Sequence, residues 1–369
     1  MKKILIICPF PKDVAAGQRL KYEQYIDIWE ENGYSVKVSS FMNIKMWNIL
    51  YSKGNYVKKI YYTLCGYSKR LYDLLIVRNY DIIYIFLWVT PLGTSFFERA
   101  FRILAKYVIY DIEDNILLKQ KSVNNRIVNF LLRGTGKVLF LIKKSDYVIT
   151  SSPFLNEYCF SINEAGSCKY ISSSVDTSKF VPVNAYSNSK NKITIGWTGT
   201  FSSKRHLDSL RDVFLELNKR CNFRLYVIGN FDFVFPEIDL EVVQWDKETE
   251  VRDMQFIDIG IYPLIDDEWV KGKSGLKAIQ YMAFGLPTVA SNVGNTPNVI
   301  TNLENGWLVD SDEEWVLALE TLINNPILRK KLGLSARNTV IQKYSKDAIS
   351  SEYLSVLDIP HSRAHQHNG

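Results

Sequence analysis

Short apolar runs alternate with helix-spaced patterns along almost the whole chain, and the alternation is played through twice, which leaves few folds open. Runs rich in Ile, Val, Leu and Tyr occupy residues 3–8, 35–40, 82–88, 107–111 and 147–150. Each precedes a longer segment in which apolar residues recur three and four apart. Strands of this kind, bounded by helical patterns, belong to a parallel sheet covered by helices. The pattern restarts at 193–197 and continues at 223–228, 241–244, 257–262 and 288–290. Between the two series, residues 182–191 hold turn formers and little apolar content, as a linker does. The expected architecture is α/β: two Rossmann-like, doubly wound domains at 1–181 and 192–345, a linker at 182–191, a helix at 346–360 returning toward the first domain, and a flexible tail at 361–369. A chain of 369 residues is long enough to bury two cores of this size.

Composition narrows the class further. With 47% apolar and 23% charged residues there is little room for extended disorder. Cys8, Cys65, Cys159, Cys168 and Cys221 are odd in number and lack metal-ligand spacing, so they read as free thiols of a reducing, cytoplasmic compartment. The apolar run at 4–7 is short and meets Pro9 and Pro11, which suits a first strand and not a signal peptide. No run approaches the roughly 20 apolar residues of a membrane-spanning helix.

Charge is divided unevenly. Residues 1–185 carry 25 Lys+Arg and 15 Asp+Glu, whereas the remainder carries 20 and 24. The excess is concentrated at Lys37, Lys45, Lys53, Lys58, Lys59, Lys69, Arg70 and Arg78, among many aromatics, with Asp73 the single acid. A second stretch, 119–144, has Arg126, Arg133, Lys137 and Lys143 among aliphatics and no acid. Cations mixed with aromatic and aliphatic residues suit a surface lying on anionic lipid, although a solvated helix face has the same composition. Nucleic acid is not expected as a partner, because no nucleic-acid motif accompanies the charge.

The segment 271–291 concentrates the chemistry. Lys271 and Lys273 flank a turn at Ser274 and Gly275, and Leu276, Ile279 and Met282 then recur at helical spacing toward a sheet. Gly285 and Pro287 end that helix before the run at 288–290. A glycine turn opening a helix at a strand edge leaves N–H groups directed at an anion, with the helix dipole in support.

Ser274-Gly275-Leu276, Gln280-Tyr281-Met282-Ala283, Gly285, Pro287 and Val289-Ala290-Ser291 together resemble the donor-binding signature of retaining glycosyltransferases of family 4. Val175, Asp176, Phe180 and Pro182 resemble the family's segment entering the hinge, and Gly199 with Thr200, Lys204 and Arg205 resembles its glycine turn and basic helix start. The similarity runs from about 193 to 344 and more weakly over the first half. This chain is then a lysine-rich variant. Gln280 stands where the family has the glutamate that holds the ribose, Gly272 stands where the first acid falls, and Asp266, Asp267 and Glu268 are candidates to replace that acid. Thr200 replaces the family's arginine, and Arg205 occupies the lysine position.

The resemblance implies a GT-B fold with its two domains facing across a cleft, and transfer of a sugar from a nucleotide-diphosphate-sugar to a glycan or lipid-linked acceptor with retention of configuration. It implies no cofactor and no metal, because cations serve the diphosphate. The implied donor contacts are Gly17, Gly199, Thr200, Lys204, Arg205, Lys271, Lys273, Ser274, Gly275, Leu276 and Gln280. Arg19 and Lys21, after the first strand, are candidates for an anionic acceptor. Asp111 and Glu113, at the end of the fourth, are candidates to orient or deprotonate an acceptor hydroxyl beside a catalytic Arg205, while Asp114 or Asn115 caps a helix. His206 reads as structural. A nucleotide-sugar epimerase of the same architecture and a noncatalytic scaffold are the alternatives. A dehydrogenase is disfavoured, because no GxGxxG fingerprint follows the first strand.

Overall fold

The computed structural model describes residues 1–50, 52–113, 135–182 and 192–358. Asp114, Asn115, Arg126 and Arg133 lie outside the described residues, as do 183–191 of the expected linker and the 361–369 tail.

Among the described residues, twelve strands form two parallel sheets. The first contains β1 (Lys2–Cys8), β2 (Tyr34–Ser40), β3 (Ile82–Phe86), β4 (Val108–Ile112), β5 (Tyr147–Thr150) and β6 (Cys168–Tyr170), in the order β2-β1-β3-β4-β5-β6. The second contains β7 (Ile193–Gly199), β8 (Phe223–Gly229), β9 (Leu240–Gln244), β10 (Ile259–Tyr262), β11 (Thr288–Ser291) and β12 (Trp307–Val309), in the order β12-β11-β10-β7-β8-β9. Contacts divide the chain into one unit of residues 1–172 and 350–369 and another of residues 173–349.

Burial follows position in the sheet. The inner strands β3 and β4 bury all five of their residues, which is what helices on both faces require. Edge strand β9 buries none of its five residues fully, and Glu241 and Gln244 are exposed. In the first unit Ile83, Ile85, Val108 and Tyr110 meet Phe101 and Leu141 from covering helices. In the second, Ile195, Ile259, Ile261 and Val289 meet Phe214, Leu217 and Leu319. From Ser350 onward, helix Lys346–Leu357 belongs to the first unit, where Tyr353 lies against Tyr25 at 4.6 Å between ring centroids.

Arg70 differs from its expected place on a cationic surface. It sits at the buried end of the first sheet, donating to the carbonyls of Cys8 (2.8 Å), Ser39 (3.1 Å) and Val89 (2.8 Å) and to Asp73 (2.9 Å). Strand ends β1 and β2 and the chain after β3 thus share one guanidinium, whose fork of donors matches several carbonyls at once. Among the described residues no helix is long and apolar enough to cross a membrane.

Candidate functional site

The strand order of the second sheet reverses direction between β7 and β10, and in open α/β sheets ligands bind outside the carboxyl ends of the strands at such a point. Here the chain leaves β7 through a short turn, Phe201–Ser203, into helix Lys204–Asp208, and leaves β10 through a long loop into helix Leu276–Ala283. A small recess lies there, lined by Trp197, Ser203, His206, Lys273 and Lys277 together with the chain from Tyr262 to Leu264.

Each wall has an identifiable support. The Thr200 N–H donates to Ser203 Oγ (3.0 Å), closing the turn after β7. The long loop is fastened where the Leu264 N–H meets Ser291 Oγ (2.9 Å), and again where Asn295 Nδ2 meets the Ser274 carbonyl (2.9 Å). Gly275 then takes a left-handed conformation (φ 81°) that a side chain would strain, and the helix begins. Helix and sheet approach closely because Gly260 has no side chain: a Cβ there would lie 2.5 Å from Tyr281 Cγ. The Tyr281 hydroxyl in turn accepts from the Thr198 N–H (2.7 Å).

Lys277 is the group that sequence reasoning missed. Its ammonium lies 4.6 Å over the Trp197 ring and donates to Ser203 Oγ (3.2 Å), within the recess. Its place four residues after Lys273, across the Gly275 turn, was the available signal. Gly199 makes room for it, since a Cβ at that position would stand 2.6 Å from Lys277 Nζ.

His206, expected to be structural, forms part of the same wall. Its Nδ1 accepts from the Ile265 N–H (3.1 Å), so the neutral ring carries its proton on Nε2. Burial, then the charges of Arg205, Lys273 and Lys277, lower its pKa to about 4. Burial is the larger cause, and the three neighbouring cations, which would also serve an anion, add to it.

This depression has a measurable consequence. As pH falls below the ordinary imidazole value of 6.5, the unfolded chain takes up the proton first, and the folded chain follows only near 4. Stability is therefore full above that window and declines through it, by about 3 kcal/mol. Urea unfolding at several pH values should show that slope, and His206→Asn should remove it.

Several expected donor contacts are engaged elsewhere. Lys204 pairs with Asp208 (2.7 Å) and lies 5.3 Å over the Phe233 ring, and Lys271 pairs with Glu268 (2.6 Å). Gln280 is buried, with its amide 3.4 Å from Glu250 Oε1, and does not line the recess. Of the three acids considered as replacements, Asp267 adjoins the site: it accepts from Arg205 Nη2 (2.5 Å). Burial raises the Asp267 pKa, but the Val270 N–H and the Arg205 guanidinium together hold it below the usual value.

In the first unit, Gly17 and Glu113 come together: a Cβ on Gly17 would stand 2.5 Å from Glu113 Oε2. The preceding loop is held by Glu23, which accepts from the Asp13 N–H (2.9 Å) and from Gln18 Nε2 (2.5 Å). Arg19 is half-buried beside them. The expectations for Lys21 and Asp111 need correction. They form an ion pair with each other, 1% and 0% exposed, and Tyr84 donates to the remaining Asp111 oxygen (2.5 Å). Burial raises the Asp111 pKa despite Lys21. A carboxylate saturated by two internal donors is a core group, and it offers no surface to an acceptor.

Residues 192–325 match the family model described as glycosyl transferases group 1. In fold, the chain is similar to a sucrose-phosphate synthase from Thermosynechococcus elongatus (TM-score 0.72, 16% identity, 97% of this chain and 98% of that one). It is also similar to the Anabaena protein HepE, solved in complex with UDP and glucose (0.66, 14%, 97% and 99%). A glycosyltransferase from Rickettsia africae is a third such structure (0.65, 15%, 96% and 97%). No curated protein matches the sequence. The architecture is that of the GT-B glycosyltransferases, two α/β domains each built on a six-stranded parallel sheet.

Proposed function

We propose that this protein is a retaining glycosyltransferase that moves a sugar, a hexose or a relative, from a nucleoside-diphosphate donor to a glycan or lipid-linked acceptor during synthesis of a cell-surface polysaccharide or glycoconjugate on the cytoplasmic side. One observation carries the reading: Lys273, Lys277 and the depressed imidazole of His206 surround a recess at the strand-order reversal, where helix Leu276–Ala283 begins. A departing nucleoside diphosphate accumulates negative charge, and fixed cations and N–H groups at that place stabilise it.

In this scheme Lys273 and Lys277 hold the diphosphate, with Arg205 and its partner Asp267 beside them toward the sugar. Ser203, with Gly199 and Thr200 in the same turn, shapes the wall, and Gly275 sets the helix start. The first unit is proposed to handle the acceptor through Arg19 and Glu113, with Glu113 orienting the attacking hydroxyl. Attack and departure occur on one face of the sugar without a protein nucleophile. Side-chain cations balance the diphosphate and no metal cofactor is required, so EDTA should leave turnover unchanged.

Isothermal titration with UDP, GDP and their sugars tests the reading, with UDP first because HepE is known with it. Submillimolar binding of one nucleoside diphosphate is expected, together with an upward shift of the His206 pKa as the bound anion offsets the neighbouring cations. No binding at millimolar concentration would remove the donor assignment. Release of an isomerised nucleotide sugar without acceptor would favour an epimerase instead.

A further inference from the structure

Helix Tyr56–Ile76 of the first unit presents its apolar side outward. The residues it buries are Gly66, Arg70 and Asp73, and the Phe41 ring lies so near Gly66 that a Cβ there would be 2.6 Å from it. On the opposite side Val57, Ile60, Tyr61, Leu64, Leu71 and Leu75 are each between 53% and 82% exposed. These six follow one another at helical spacing, and 21 residues make the stripe about 30 Å long. A contiguous apolar surface of this kind marks a face that something covers.

Charge indicates what covers it. Residues 41–80 carry seven Lys and Arg but one acid, Asp73, and that acid is buried against Arg70. Lys58 and Lys69 are exposed on one flank of the stripe, and Lys37 on edge strand β2 joins them, its ammonium 5.5 Å over the Tyr72 ring. A twofold contact with a second copy would set two such cationic faces together with no acid between them. A bilayer bearing anionic headgroups satisfies both features, since aliphatic and tyrosine side chains enter the headgroup boundary while lysines meet the phosphates.

We propose that the outward face of helix Tyr56–Ile76, flanked by Lys37, Lys58 and Lys69, is a docking surface for an anionic membrane, with the helix lying in the plane of the bilayer interface. Arg70 and Asp73, by holding the polar side inward, orient it. This inference is independent of the donor site and survives if the latter fails.

Flotation of the full chain with vesicles of phosphatidylglycerol and phosphatidylcholine, against phosphatidylcholine alone, tests it. Binding to the anionic vesicles is expected. Lys37→Gln/Lys58→Gln/Lys69→Gln should weaken it about 100-fold, each cation contributing about fivefold. Leu64→Ser/Leu71→Ser should weaken it at least tenfold. All five positions are exposed, and the one bond at risk, from the Lys69 ammonium to the Ser40 carbonyl (2.9 Å), is itself exposed, so unfolding midpoints should change little, which circular dichroism checks. Equal partitioning of variants and parent, no preference for anionic vesicles, or variants that instead dissociate a dimer in sedimentation velocity would each overturn the proposal. Capture by an acidic peptide with no vesicle binding would do so as well.

Discussion

Replacing Lys277 by alanine should lower turnover with a nucleotide-sugar donor about 10²–10³-fold, the usual cost of one donor removed from a site of developing negative charge. The side chain lies over Trp197 and beside Ser203, inside the recess that Lys273 also lines. Lys271→Ala is the informative contrast. Its ammonium is tied to Glu268 at an exposed position, so its loss should change the same rate less than about threefold. Steady-state kinetics on both variants, with nucleoside diphosphate affinity measured in parallel, separates a site cation from a surface one. Equal losses would mean that diffuse positive charge, and not this recess, holds the donor.

The second large effect concerns stability. Arg70→Met should destabilise the first unit by about 3–5 kcal/mol, because Asp73 is then left charged and buried while three carbonyls lose their donor. Changing both partners, as in Arg70→Met/Asp73→Leu, removes the orphaned charge and should restore part of the loss. Denaturant unfolding of the two variants measures the difference. A single variant as stable as the parent would show that the arginine is solvated and that the helix carrying it does not orient as described.

How much of this was legible in the sequence depended on the distance over which the physics acts. Ten of the twelve strands found among the described residues were readable, most directly where buried parallel strands leave uninterrupted apolar runs, as at Ile82–Phe86 and residues 225–228. The two that were not, Cys168–Tyr170 and Trp307–Val309, are three-residue edge strands that stay largely half-buried and are too short to stand out as a run. Helix Leu276–Ala283 and its glycine turn were readable for the same local reason, since Gly275 and Gly285 punctuate an apolar face.

Partners of charged residues were not readable in this way. Lys21 meets Asp111 across ninety positions, and Arg70 gathers carbonyls from three separate segments, so position after the first strand offered Lys21 to an acceptor, and a count of cations offered Arg70 to a surface, that neither reaches. Lys204–Asp208 and Glu268–Lys271 stand four and three apart on local turns, and that spacing did carry the signal that these lysines are occupied. Lys277 was overlooked because it lies inside the helix, past the glycine turn that drew attention to Lys271 and Lys273.

The proposed function requires that a diphosphate be held in the second unit by lysines at the start of helix Leu276–Ala283. The most direct measurement is a crystal structure with a bound nucleoside diphosphate. Phosphate oxygens within hydrogen-bond distance of Lys277 Nζ and of the first N–H groups of that helix are the predicted result. A diphosphate bound elsewhere, with the recess between Trp197 and His206 left to solvent, would contradict it.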